Sequence, residues 1–342
     1  LKLFVLQHKE TVLKHNIKEA AFMQKTALIT GVTGQDGSYL SRLLLQKGYR
    51  VIGITRSYST ANLKNLAYLK INNDVEITEC DMYDIVGIIN LIRKYKPAHI
   101  YNLAAQSSVS LSFDQPISTI KYNIESVLNM LEAIRLTDPG IHFYQASSSE
   151  MYGVVKELPV SLSTHLNPVS PYAVSKASAF MLTNNYKNAY HLFAVNGVLF
   201  NHESYLRTDN FFVKKVISQA LLIKKGKLDF LRVGNIDIKR DFGYAPDYVN
   251  AMFLAMNHTE PNNYLVCSGT SISLRKIITH AFYKLGIDMG RLMVDPALYR
   301  PSEIEDLYGD NTITQSVLNW DYNKQFTDIL DLLIEEESVN SI

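Results

Sequence analysis

Cysteine is scarce: two residues, Cys80 and Cys267, in a chain of 342. That excludes a disulfide framework and a thiolate metal cluster. It suits a reducing compartment, so a cytoplasmic location is expected. Net charge is scarce as well. Thirty-four basic residues stand against 33 acidic ones, for a formal charge of +1, which leaves no polyanion-binding surface and no acidic tail. No nucleic-acid partner is expected. No apolar run reaches the ~18 residues that span a bilayer, so no membrane partner is expected either. The nine histidines lack HExxH or any clustered spacing, and no metal site is expected. Repeats and low-complexity linkers are missing. The chain as a whole is 47% hydrophobic and 20% charged, a globular chain long enough for a main domain and a smaller one.

Residues 1–22 stand apart. They open on LKLFVLQH and continue as a charged, helix-compatible stretch, without the small-residue cleavage site of a secretory signal. Met23 falls directly before the first clear strand. The segment reads as an N-terminal extension with no functional role.

From Lys25 the order becomes regular. Thr26 to Thr30 is a short apolar run, followed by GVTGQDG and then the amphipathic SYLSRLLLQKG. Strand, glycine turn and helix follow one another, as a dinucleotide requires. Gly31 permits the tight turn, Gly34 lets the backbone approach a pyrophosphate, and Gly37 allows close helix–strand packing. The helix N-terminus adds free N–H groups for the phosphates. The second strand, Arg50 to Thr55, ends at Arg56-Ser57. A carboxylate there would grip the ribose diol of NAD; Arg56 and Ser57 instead suit a 2′-phosphate, so NADP is favoured. Strands and helices then alternate: VEITEC ending at Asp81, placed to meet an adenine edge, then HIYNLAA closing on Gln106, HFYQASSS, and LFAVNGVLF. The last is a near-continuous apolar run of the kind found in a parallel sheet covered on both faces. Gly31, Arg56, Asp81, Ala104, Ser148 and Asn201 all fall at strand carboxyl ends, where such sheets bind ligands.

The chemistry centres on SPYAVSK. Tyr172 and Lys176 are four residues apart, hence on one helix face, with Pro171 near the first turn. An ammonium beside a phenol favours the phenolate and is expected to lower the tyrosine pKa, making Tyr172 a candidate base for a sugar hydroxyl. QASSSE places hydroxyls and the Glu150 carboxylate at a strand tip. Beyond Asn201 the pattern loosens into a helix with a basic face, FFVKKVISQALLIKKG, a strand, LDFLRVG, and a polar loop, LYRPSEIEDLYGD. Lys214, Lys215, Arg240 and Arg300 supply cations suited to a diphosphate. The expected fold is α/β, a Rossmann-type doubly wound parallel sheet with a smaller mixed α/β substrate-binding lobe. The dinucleotide-binding domain is expected over 23–200, with about 240–275 returning to it. The substrate lobe is expected over 201–239 and 276–342.

Together, ALITGVTGQDGSYL, NLAAQSSVSLSF, FYQASSSEMYG, SPYAVSKASA, NGVLFNHES, GNIDIKRDFGYAPDYVNAM and YRPSEIEDLYGD resemble the GDP-mannose 4,6-dehydratase family, from about Lys25 to Asp310. That family belongs to the extended short-chain dehydrogenase/reductases. The resemblance implies an internal redox reaction on GDP-mannose. Tyr172, assisted by Lys176 and Ser148, would take the C4 hydroxyl proton while the C4 hydride passes to NADP. Glu150 would remove the C5 proton and protonate the departing C6 oxygen. Hydride would then return to C6, giving a 4-keto-6-deoxy sugar.

By the same resemblance, cofactor contacts fall on Gly31, Thr33, Gly34, Gln35, Asp36, Gly37, Arg56, Ser57, Asp81 and Met82. Leu103, Ala104, Ala105, Gln106, Ser107, Tyr172, Lys176, His202 and Arg207 complete them. The GDP-sugar would be held by Ser107, Ser149, Glu150, Asn201, Lys215, Arg240, Arg300 and Glu303, with Glu303 accepting from guanine N–H groups. A homodimer or homotetramer is implied. The chain departs from the family pattern at four places. Ser148 stands where threonine is common, and the loop after Arg56 reads SYSTANLKNLAYL in place of a second arginine and a serine-rich aromatic loop. Tyr205-Leu206 replaces a Pro-Arg pair, and Ser118 stands near the place of a tyrosine. A dehydratase of another GDP-sugar, such as a heptose, and a reductase or epimerase of the superfamily remain alternatives. A catalytically silent NADP-sensing scaffold is a further one.

Overall fold

The computed structural model describes residues 24–59 and 61–340; the extension at 1–22 lies outside them. The chain alternates as read. β1 (Thr26–Thr30), α1 (Gln35–Gln46), β2 (Arg50–Thr55), α2 (Lys64–Tyr68), β3 (Glu76–Glu79), α3 (Ile85–Tyr95) and β4 (His99–Asn102) come first. They are followed by α4 (Val109–Asp114), α5 (Pro116–Thr137), β5 (His142–Ser148), α6 (Pro171–Tyr190) and β6 (Ala194–Leu199). These strands are parallel in the order β6-β5-β4-β1-β2-β3, the dinucleotide-binding arrangement with its crevice between β1 and β4. Every residue of β1, β4 and β6 is buried, since helices cover both faces. One face packs on α1 through Leu40 and Leu44, and the other on α3, α5 and α6 through Ile88, Leu131 and Ala179.

After β6 the chain leaves the sheet and comes back. β7 (Asn201–Glu203), α7 (Phe212–Lys224), β8 (Leu231–Val233) and β9 (Lys239–Tyr244) build the second lobe. α8 (Ala245–Met256) then packs on α1, and β10 (Asn263–Val266) adds to the sheet edge beside β6. The rest is β11 (Ser271–Ser273), α9 (Leu274–Leu285), β12 (Leu292–Val294), α10 (Thr312–Leu318) and α11 (Phe326–Asn340). β7, β9 and β11 form a small mixed sheet, and β8 pairs with β12. A separate apolar core of Val216, Ile278, Phe282 and Leu330 fills this lobe. No helix among the described residues is long and apolar enough to cross a membrane.

Candidate active site

A cleft of about 940 Å³ opens between the sheet's carboxyl edge and the second lobe. Its floor is the glycine turn. Gly31 adopts φ +69°, and a Cβ there would meet the Ala104 amide nitrogen at 2.9 Å. At Gly37 a Cβ would overlap the Gly31 carbonyl oxygen, so only glycine lets α1 start against the turn. Thr33, Gly34, Gln35 and Asp36 line the same floor, and Leu103, Ala104, Ala105, Gln106 and Ser107 form the adjoining wall. The Thr30 hydroxyl fixes that wall by accepting from the Leu103 and Ala104 amides, both at 3.0 Å.

The catalytic candidates converge on this cleft. Ser148 ends β5, and its hydroxyl accepts from the Glu150 amide at 3.3 Å, shaping a 3-10 turn over Ser149–Tyr152 that carries Ser149 and Glu150. Ser170 caps α6 by accepting from the Ala173 amide at 3.1 Å, with Pro171 in the first turn, so Tyr172 faces the cleft one turn before Lys176. The electrostatics differ from the expectation drawn from spacing. Burial pushes the Tyr172 phenol up to about 12; a hydrogen bond with Ser148 pulls it down, and nearby Glu150 raises it further. Lys176 does not offset this. Its Nζ donates to the Ala146 carbonyl at 2.8 Å and lies 5.8 Å from the Tyr172 ring centre, and burial lowers its own value to about 8. Desolvation therefore outweighs the ammonium.

Asn201, His202, Arg207, Arg240 and Arg300 enter from the second lobe. The Asn201 amide is fixed by donating to the Asp241 carbonyl at 3.1 Å. His202 bridges the two elements: Nε2 lies 2.9 Å from both Asp36 oxygens and Nδ1 2.7 Å from the Phe200 carbonyl, acceptors on both sides that favour the imidazolium. Burial alone would push the imidazole down, yet the Asp36 carboxylate raises it. Asp36 is lowered in turn, His202 overcoming the cost of burial. Arg56 reaches the cleft with its guanidinium over the Tyr122 ring, 5.5 Å from the centroid.

Five predicted residues do not line the cleft. Ser57 pairs its hydroxyl with Ser59 at 2.9 Å, and the Asp81 carboxylate accepts from the Tyr83 amide at 3.0 Å. Met82 is buried in the apolar core. Lys215 donates to the Arg232 carbonyl at 2.8 Å, and Glu303 stands behind Arg300 at 3.8 Å. Lys214 lies outside as well, tied to the Tyr205 carbonyl at 2.9 Å and to Glu337.

Sequence reading missed Tyr122 and Glu203, both in the lining. Glu203 is buried 3.7 Å from Arg207, and its carboxyl is raised by burial against the pull of that cation. Its signal was a charge two residues beyond Asn201, on the same strand face. Tyr122 sits in a long helix and carried no signal.

The fold is that of solved nucleotide-sugar enzymes. The dTDP-glucose 4,6-dehydratase from Streptomyces venezuelae, with NAD and TYD bound, superposes with TM-score 0.83 at 20% identity, covering 92% of this chain and 97% of that one. RMD from Pseudomonas aeruginosa, complexed with NADPH, gives 0.74 at 23%, covering 92% and 97%. The family is narrower: this chain belongs to the GDP-mannose 4,6-dehydratases. The model described as GDP-mannose 4,6 dehydratase matches residues 28–333. The GDP-mannose 4,6 dehydratase of Cricetulus griseus is 37% identical, over 92% of this chain and 91% of its own length. That of Sinorhizobium fredii is also 37% identical, over 92% and 97%.

Proposed function

We propose that the protein dehydrates GDP-mannose to GDP-4-keto-6-deoxymannose, using NADP as a recycled cofactor. The observation that carries this reading is the meeting of Ser148, Glu150, Tyr172 and Lys176 at one cleft over a glycine turn. A reductase or epimerase of this fold has no need of a carboxylate at Glu150, and a silent sensor has no need of the set. The relatives named for GDP-mannose dehydration supply the substrate.

The cleft fits a dinucleotide on its own terms. Gly31 and Gly37 let the turn close against the Ala104 backbone and the start of α1, which shapes the cradle. Glu203 Oε2 and Arg207 Nε, buried beside it, face each other at 3.7 Å without a hydrogen bond. Arg56 in the wall, with no carboxylate at the tip of β2, favours the 2′-phosphate of NADP. When bound, the nicotinamide supplies hydride acceptance from C4 and hydride return to C6. Tyr172 takes the C4 hydroxyl proton, with the Ser148 hydroxyl drawing the phenol toward ionisation. Glu150 removes the C5 proton, made acidic by the C4 ketone, and gives it to the departing C6 oxygen. Arg300 and Asn201 face the outer cleft, where a diphosphate and sugar would lie.

The second reading, a larger GDP-sugar such as a GDP-heptose, draws on the cleft wall. Ser108, Ser110 and Ser118 present small side chains there. We also read the protein as a homodimer or homotetramer. Ile117 and Leu128 on α5, and Val174 and Met181 on the adjoining α6, are exposed apolar side chains that a second copy would cover. The free thiols of Cys80 and Cys267 accord with a cytoplasmic location.

The test is incubation with GDP-mannose and catalytic NADP, or NAD in parallel, followed by NMR. A 4-keto-6-deoxy product without net NADPH supports the reading. Turnover of a GDP-heptose alone would replace the substrate, and no turnover of either would refute dehydration.

A further inference from the structure

Glu150 has a cationic neighbour that the proposed reaction does not yet use. The Arg240 guanidinium lies against it, Nε to Oε1 at 4.0 Å, with the two side chains 7% and 14% exposed. Arg240 is pinned from behind, its Nη1 donating to the carbonyls of Lys239 at 2.7 Å and Ile304 at 2.6 Å. The next residue, Asp241, is fully buried. Its carboxylate accepts from the amides of Ser268 at 2.8 Å, Gly269 at 3.1 Å and Gly309 at 3.4 Å. β9 is thereby fastened to two loops, and Arg240 cannot swing away from the carboxylate without breaking those ties. The other titratable and charged groups facing Glu150 are Tyr172 on α6 and Glu303, with Arg300 beside it, on the 300–303 segment. Among these neighbours Arg240 is the cation at ion-pair distance from Glu150.

We propose that Arg240 is a positioning residue for Glu150, holding its carboxylate ionised and aimed at the C5 proton. The inference rests on the assignment of Glu150 as the C5 base. In that step the C5–H bond breaks, the proton bonds to a Glu150 oxygen, and the electron pair moves to the C4 oxygen as an enolate. Collapse of the enolate restores the C4 ketone, forms the C5–C6 double bond and breaks C6–O. The departing oxygen takes the proton from Glu150 and leaves as water. C5 later regains a proton from the exchangeable groups of the cleft, Tyr172 among them, as hydride arrives at C6. Glu150 must return to the carboxylate each cycle, and a fixed cation at this distance keeps that state accessible.

The experiment compares the wild type with Arg240→Gln and Arg240→Lys, assayed with GDP-mannose and NADP from pH 5 to 9. KM and kcat are separated, and deuterium uptake at C5 is followed in D2O. Arg240→Gln is expected to move the acid limb of kcat up by about one pH unit, so that kcat falls by up to about tenfold on the acid side of the limb, with Arg240→Lys restoring most of it. Arg240→Met, which keeps the apolar stem, serves if the Gln variant fails to fold. A rise in KM with the acid limb unmoved would make Arg240 a diphosphate clamp only and overturn the proposal. Glu150→Gln separates the two readings: continued C5 exchange in that variant would sink the base assignment itself, whatever Arg240 does.

Discussion

At the residue scale, the Tyr172–Lys176 pair works under a constraint that spacing alone does not reveal. Both side chains are buried, and burial drives each toward its neutral form, the phenol up to about 12 and the ammonium down to about 8. Near neutral pH the lysine is still charged, and the phenolate that accepts the sugar proton is the minor form of Tyr172. The titration that falls inside the working range is therefore that of Lys176. Raising the pH through about 8 removes the cation that supports proton transfer from the sugar hydroxyl. The alkaline limb of kcat/KM, which reports free-enzyme groups, is expected near pH 8. In Lys176→Met that limb disappears and the plateau falls about 10²–10⁴-fold, the usual worth of a positioned proton-transfer group. A limb that persisted in the Met variant would assign the titration to another group. Arg240 carries a related lesson. Its charge was read as a match for a diphosphate; it lines the cleft, and its side chain also lies against the Glu150 carboxylate.

At the element scale, the cleft depends on a row of polar side chains running across the buried sheet. The Thr30 hydroxyl donates to Asn102 Oδ1 at 2.7 Å, and Asn102 Nδ2 donates to Gln145 Oε1 at 2.8 Å. Farther along, Ser147 donates to Asn196 Oδ1 at 3.0 Å, and Asn196 donates to Asn263 Oδ1 at 3.1 Å. The row lies where β1, β4, β5, β6 and β10 pair side by side, at Thr30–Asn102, Asn102–Gln145 and Asn196–Asn263. It fixes register and leaves the Thr30 oxygen to hold the Leu103 and Ala104 amides of the cleft wall. Asn102→Leu would strand both Thr30 and Gln145. A loss of about 1–3 kcal/mol is expected in urea unfolding, together with weaker NADP binding. Unchanged stability would show that the row adds nothing beyond the ladder. The strand–turn–helix order was legible because apolar runs, glycines and helix periodicity are local signals. Asn102 and Gln145 were passed over inside apolar runs, since their partners are set by cross-strand pairing between distant segments. The outward turn of Lys215 was hidden for the same reason: its acceptor, the Arg232 carbonyl, lies on another element.

At the scale of the whole molecule, the glycine turn is fastened to the second lobe by contacts between α1 and β7. Gln35 Nε2 donates to the His202 carbonyl at 3.1 Å, and the Ser204 hydroxyl donates to Gln35 Oε1 at 2.8 Å. The ionic contact of this set is His202 with Asp36, flanked by Arg207 and Glu203. Its pH dependence follows from the two shifts. His202 is raised above its ordinary 6.5, so its contribution is complete below that value and fades as pH rises through the raised one. Asp36 is lowered below its ordinary 3.8, so its contribution is complete above that value and fades as pH falls through the lowered one. Between those ordinary values both contributions are complete, and toward alkaline pH the imidazole becomes neutral while the hydrogen bond to Asp36 survives. His202→Gln should therefore cost about 3 kcal/mol at pH 6, where it leaves the partly buried Asp36 without its cation, and less at an alkaline pH above the raised imidazole value. Urea unfolding at the two pH values reads the difference directly. An equal cost at both would mean that the lobes are joined here by a neutral hydrogen bond, and that the charge on His202 serves the ligand instead of the fold.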